Sequence, residues 1–346
     1  MDVRGEPKLV LRPEHDEWGL VRRYPALVDA ALVPDRYAAP YPPGHSAYGK
    51  DHQRLDRAVT ESRIELWRDP DTSGLVSKTI NRISPEARLR LIPAGRYVRL
   101  PIDVRDLRNG FRRNLFTDAC LEGQVGSKTL AAPYFDFRAV DDPRLRLNLE
   151  MARRVALHAD DQVPTVFVQM TRNRMLAGLG AAVAPLYAAT GVRRAIVRVR
   201  GWFPQQATAD ELTAFLDMAD AFDQRGLEVI ADCVGRLGPV LVAECTRGFS
   251  TGTRFFRSVP AALLSPGGGG GGIPLGQQIA GTWSERPREP RATPAQVRVE
   301  NLRTLRELSL LASRDPWALI ASLRADPSPY SRTWAHVLDV RRQRSA

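Results

Sequence analysis

The chain is poor in cysteine, in histidine and above all in lysine. Its three cysteines, Cys120, Cys233 and Cys245, are too few and too widely spaced for a disulfide framework or a metal knuckle. A reducing, cytoplasmic setting is therefore expected. The five histidines (His15, His45, His52, His158 and His336) never fall at a zinc-binding spacing, and there is no GxSxG elbow, so neither a metal nor a serine nucleophile is expected. No GxxxxGK occurs and no GxGxxG follows a strand, which removes the two common nucleotide fingerprints. The N-terminal stretch MDVRGEPKLVLRPEHDEW carries charges where a signal peptide needs an apolar segment. Long apolar runs are also missing. The longest uncharged one, MLAGLGAAVAPLYAATGV (175–192), is rich in Ala and Gly and contains Pro185, so it reads as a buried helix of a soluble protein that avoids the membrane.

What is present is arginine and an ordinary apolar fraction. The 346 residues are 43% hydrophobic, enough for a substantial core, and 50 Lys+Arg against 39 Asp+Glu leave a formal charge of +11. That excess points to a polyanionic partner, a nucleic acid or a phosphorylated small molecule, although genomic base bias also produces arginine-rich chains.

From residue 129 onward, short β-branched or aromatic runs alternate with helical patterns, the signature of consecutive βαβ units. The expected strands are LAAPYFDF (130–137), PTVFVQMT (164–171), RRAIVRVRGW (193–202), LEVIADCV (227–234) and GFSTGTRFF (248–256). The N-terminal part adds LVLR (9–12), RIELWR (63–68) and YVRLPIDV (97–104), with AALVPDRY as a competitor for the first place. Eight strands over this length predict a (β/α)8 barrel spanning 1–257. A Gly/Pro-rich segment with six consecutive glycines (258–294) reads as a flexible, disordered loop, and 295–346 as a C-terminal helical extension. Leu302, Leu305, Leu308, Leu311 and Trp317 of that extension offer a face for self-association.

Chemistry in such barrels is built at the C-terminal ends of the strands. The residues there are Glu14, His15 and Asp16; Asp69 and Asp71; Asp103 and Asp106; Tyr134 and Asp136; Gln169 and Thr171; Arg198, Arg200 and Trp202; Asp232 and Arg236; and Ser250, Thr251, Thr253, Arg254 and Arg257. Carboxylates crowd one side and arginines the other. Such a ring suits a ligand with an anionic end, held by arginine forks, and a reacting centre served by a carboxylate. Asp69, Asp71 and Asp232 are the catalytic candidates; Gln169, Arg198, Arg200, Asp103, Tyr134, Ser250, Thr251 and Arg254 are the substrate-binding ones. Caps, turns and rim ion pairs are the competing explanation for each, and DPDTSG (69–74) is also a good Pro-containing turn.

Three short stretches resemble the tRNA-guanine transglycosylase barrels. DTSG (71–74) is similar to that family's DSGG, VFVQM around Gln169 to its VQGG strand, and DCVGR (232–236) to its DCV segment. The resemblance implies Asp71 as base or base-binder, Gln169 as a nucleobase ligand and Asp232 as the nucleophile at the anomeric carbon. The chain differs from the family in lacking its cysteine-rich zinc site and in having Met170 and Thr171 after Gln169. The expected function is therefore an enzyme acting on a nucleotide, nucleic acid or phosphorylated glycosidic substrate, by base exchange or glycosidic cleavage. The alternative is a catalytically silent barrel that serves as a nucleic-acid- or protein-binding scaffold. No residue demands a cofactor.

Overall fold

The computed structural model describes residues 6–13, 17–34, 54–55, 57–72, 104–252, 278–280, 285–287, 294–326 and 328–345. Eight parallel strands form a nearly closed (β/α)8 barrel: β1 (Lys8–Leu11), β2 (Ala30–Pro34), β3 (Glu65–Asp69), β4 (Thr129–Ala131), β5 (Val163–Thr171), β6 (Arg194–Arg200), β7 (Glu228–Ala231) and β8 (Gly248–Thr251). Their order around the sheet is β3-β2-β1-β8-β7-β6-β5-β4. The gap between β3 and β4 is bridged by Lys128 N–H donating to the Leu66 carbonyl at 2.8 Å and by the Ser127 hydroxyl donating to the same oxygen at 3.0 Å.

The strand membership differs from the sequence expectation. LVLR and AALVP are not competitors but neighbours, paired through Val10–Ala30 and Leu11–Ala31. YVRLPIDV lies outside the described residues apart from Val104, which sits in a turn, and the eight-stranded sheet is made without it.

Helices cover the outside. They are α1 (Trp18–Arg23), a short helical stretch at 57–61, α2 (Gly110–Glu122), α3 (Pro143–His158), α4 (Arg172–Leu176), α5 (Leu179–Ala188), α6 (Ala209–Asp223), α7 (Gly238–Glu244), α8 (Pro294–Arg314), α9 (Pro316–Ala325) and α10 (Pro329–Ser345). Their starts follow local chemistry. Asp142 accepts from Arg144 N–H at the start of α3, and Thr208 and Glu211 form a reciprocal capping box on α6. The uncharged run 175–192 is two helices rather than one, broken by Gly178 at φ 75°. Among the described residues no helix is long and apolar enough to cross a membrane.

α8 packs on α7, on β1 and on the turn at Pro25–Leu27, the place of the last barrel helix. Packing therefore carries the barrel beyond residue 257, with α9 and α10 attached outside it. Leu302, Leu305 and Leu308 are buried against the rest of the chain, whereas Leu311 is half-buried and Trp317 exposed. Most of the face expected for self-association is thus used within the protein. Of the glycine-rich segment only the antiparallel pair β9 (Gln278–Ala280) and β10 (Glu285–Pro287) is described.

Strand periodicity separates two apolar sets. Leu9, Leu11, Val33, Val166, Val168, Val197, Val229 and Phe249 face the helices and join the main core. Val10, Leu32, Trp67, Phe167, Ile196 and Ile230 fill the barrel's middle with Tyr134. Gly238 lets α7 approach β8: a Cβ there would lie 2.1 Å from the Phe249 ring.

Candidate functional site

Polar layers cap the apolar middle at both ends of the barrel. At the N-terminal end the first inward residues of four strands pair as Lys8–Glu65 (2.9 Å) and Arg194–Glu228 (2.6 Å). Both cations lie over the Trp67 ring, Arg194 at 4.2 Å and Lys8 at 5.6 Å from its centroid.

Four residues up each of these strands, the same alternation sets Arg12 just past β1, Asp69 at the end of β3, Asp232 just past β7 and Arg198 two residues before the end of β6. They close into one ring. Arg12 donates to Asp232 Oδ1 at 2.9 Å and to Asp69 Oδ2 at 2.5 Å. Arg198 donates to Asp232 Oδ2 at 2.5 Å and to Asp69 Oδ2 at 2.8 Å. The ring is neutral, and its side chains are only 0–16% exposed.

Hydrogen bonds from neighbouring strands fix it further. The Tyr134 hydroxyl donates to Asp69 Oδ1 at 3.0 Å and accepts from Arg198 at 3.0 Å, while Arg198 also donates to Gln169 Oε1 at 3.1 Å. The Ser250 hydroxyl donates to Asp232 Oδ1 and accepts from Cys233 N–H at 2.8 Å. Gln169 in turn donates to Asp136, whose other oxygen accepts from Arg200.

The stretch DPDTSG finds its purpose here. Asp69 belongs to the ring, and Asp71 adopts φ 50° so that its N–H donates to Asp69 Oδ1 at 2.9 Å. The Thr72 hydroxyl accepts from Tyr134 N–H at 2.7 Å and donates to Tyr134 O at 2.8 Å, which holds the tyrosine over the ring although β4 has already ended. Ser73 and Gly74 lie outside the described residues.

Burial by itself would push the Asp69 carboxyl up, but Arg198 and Arg12 pull it down to about 2. Burial opposes ionisation of Asp232 too, and Arg12, Arg198 and the Ser250 hydroxyl overcome it, leaving that carboxyl well below the usual range. Burial and then Asp232 push the Cys233 thiol up to about 11 despite the two arginines. Tyr134 is raised well above the ordinary phenol value, chiefly by burial. At neutral pH the ring holds two carboxylates, two guanidinium ions, a neutral phenol and a neutral thiol.

Of the expected site residues, the structure brings Asp69, Asp232, Gln169, Arg198, Tyr134 and Ser250 together, with Asp71 beside them and Arg200 one link away through Asp136. Thr251 is buried and its hydroxyl donates to its own chain at Gly252 O, 2.9 Å, so it does not join the ring. Trp202 is buried and stacked on Phe215 at 5.0 Å. Asp103 and Arg254 lie outside the described residues, as do Glu14, His15, Asp16, His45, His52, Thr253 and Arg257. Of Asp106, only its place in the turn Asp106–Arg108 is described. His158 and His336 are exposed on α3 and α10. Among the described residues no group of His, Cys, Asp or Glu could hold a metal ion.

Over the ends of β4, β5 and β6 lies a cleft of about 840 Å³ lined by Arg138, Arg144, Arg172, Arg174, Arg200 and Asp136, with Phe137 and Met170 among its apolar residues, and joined to the ring through Gln169, which accepts from Arg198 and donates to Asp136. Arg172 pairs with Glu211, and Arg200 with Asp136. The guanidinium groups of Arg138 and Arg174 have no partner among the described residues, and both residues are exposed. Sequence reasoning missed Arg12 and four of these five arginines. Arg12 was legible as the next inward residue after Lys8 and Val10; the four cleft arginines lie beyond their strand ends, where the period of two gives no guide.

No protein-family model matches the chain, and no curated protein matches it.

Proposed function

We propose that this (β/α)8 barrel binds a phosphate-bearing small molecule in the arginine-lined cleft over β4–β6, which Gln169 and Asp136 link to the buried ring. The observation that carries the reading is the convergence of five arginines on one cleft whose sole lining carboxylate among the described residues is Asp136. Arginine forks match phosphate oxygens bidentately, and unpaired guanidinium groups at a cleft are already poised to do so. The volume suits a small ligand, and the position agrees with where barrels of this class keep their ligands.

Base exchange or glycosidic cleavage through Asp232 is harder to draw from this geometry. Asp232 Oδ1 is engaged by Arg12 and Ser250, and Oδ2 by Arg198. Covalent attack would discharge the carboxylate and leave two buried arginines facing a single counter-ion, a heavy penalty in a site so dry. Asp69 is bound in the same way. Asp136, partly exposed at the cleft, is the carboxylate positioned to meet a ligand directly.

Calorimetric titration with inorganic phosphate tests the reading. Binding that weakens by roughly ten- to a hundredfold in Arg138→Ala/Arg174→Ala, as expected for losing charge-assisted hydrogen bonds, supports it. Absence of phosphate binding by the wild-type protein, or equal affinity in the double variant, refutes it.

A further inference from the structure

The arrangement of the cleft narrows the ligand class, on the assumption that the phosphate reading above is right. The five arginines fall into two groups on different strand ends. Arg138 comes from the segment joining β4 to α3 and Arg144 from the first turn of α3, whereas Arg172, Arg174 and Arg200 come from the helix after β5 and the end of β6. Each group contains one guanidinium without a partner among the described residues, Arg138 on one side and Arg174 on the other. Asp136 links the sides: it stands on the β4 side, and its carboxylate accepts from Gln169 of β5 and Arg200 of β6. A carboxylate held in that place repels an anionic group brought against it. Asp136 is touched by an arginine of each group, Arg144 on its carbonyl at 3.5 Å and Arg200 on its carboxylate, so a ligand that meets both groups has to pass a carboxylate.

We infer that the ligand carries two phosphate groups separated by an uncharged middle, one for each arginine group, with the middle against Asp136. Sugar bisphosphates have this form, and their hydroxyls can donate to the Asp136 carboxylate. Occupying both sides makes the second contact intramolecular, so the gain over one phosphate exceeds what either side supplies alone.

The test compares inorganic phosphate, pyrophosphate, fructose 6-phosphate and fructose 1,6-bisphosphate by calorimetry on the wild-type chain, Arg138→Ala and Arg174→Ala. The altered side chains are exposed, so the fold is retained. The bisphosphate is expected to bind at least about tenfold more tightly than the monophosphate, and each single variant to erase most of that advantage. Pyrophosphate is expected to bind more weakly than the bisphosphate. Equal affinity for mono- and bisphosphate, pyrophosphate as the tightest probe, or an effect of only one arginine would each overturn the inference while leaving the phosphate site standing. So would tighter binding of a short single-stranded RNA that depends on Arg146 and Arg153 of the neighbouring groove along α3, which would make the cleft one end of a polymer track. If no phosphate compound binds at all, the reading beneath the inference fails with it.

Discussion

The two polar ends of this barrel use the same residue types in different ways. At the N-terminal end, Lys8–Glu65 and Arg194–Glu228 are separate pairs whose carboxylates remain 37% and 27% exposed. At the C-terminal end, Arg12, Asp69, Arg198 and Asp232 are cross-linked, and the two carboxylates are 1% and 0% exposed. Each carboxylate there is reached by both arginines. Water reaches the carboxylates at the first end but not those at the second, so removal of Lys8 should be tolerated below and removal of a ring arginine punished above. The upper ring is also linked, through Gln169 and Asp136, to the cleft, where arginines outnumber carboxylates among the described lining residues. The ring arginines are held by the ring carboxylates, whereas the guanidinium groups of Arg138 and Arg174 at the cleft have no partner among the described residues.

The comparison is broken most directly by deleting one cation at each end. Arg198→Ala strands two buried carboxylates on Arg12 alone and should cost about 3–5 kcal/mol in urea denaturation, whereas Lys8→Ala should cost at most about 1 kcal/mol. Equal losses would mean that the ring is no more than two ordinary pairs.

Acid should find the same difference. Asp69 is lowered from its ordinary 3.8 to about 2 in the folded chain, so its contribution is complete above the unfolded value. It is lost as pH falls from about 4 towards 2, because the unfolded chain takes up the proton first. That interval should remove roughly 2 kcal/mol through Asp69, and Asp69→Asn should flatten the stability–pH curve within it. Glu65 at the lower end is also lowered, against its burial, by Lys8 and Trp67; being half-exposed, it should contribute a shallower slope, seen as a smaller change in Glu65→Gln.

A finer probe is Tyr134→Phe. It deletes one hydroxyl that both donates to Asp69 and accepts from Arg198 while keeping the ring stack on Phe167 at 4.9 Å. A loss of about 1–2 kcal/mol in the same denaturation assay is expected; no change would show that the phenol merely fills space.

The barrel itself was readable because its signals are local and repeated. β5, β6 and β7 are runs of β-branched residues bounded by helix starts and stops such as the Thr208–Glu211 box and Gly226 at φ 77°. The misread strand has an equally local cause. AALVP is short and apolar on both faces, as a doubly covered parallel strand must be, and such a run has no alternation to recognise.

The site was half legible. Ring members at inward positions near strand ends, Asp69, Gln169, Arg198, Asp232 and Ser250, follow from the period of two once the strands are known. Tyr134 reaches the ring from three residues past the end of β4, held there by Thr72 from another strand's loop. No spacing in the sequence encodes that bond between residues 62 positions apart.

The sequence by itself determined that alternating strands and helices would close into a barrel with charges at the strand ends, because periodicity and capping act between neighbours in the chain. Only the tertiary structure decided that Asp69 and Asp232 would be neutralised by Arg12 and Arg198 rather than left facing a ligand. Which charges meet depends on the shear with which distant strands pair, and burial then fixes their ionisation.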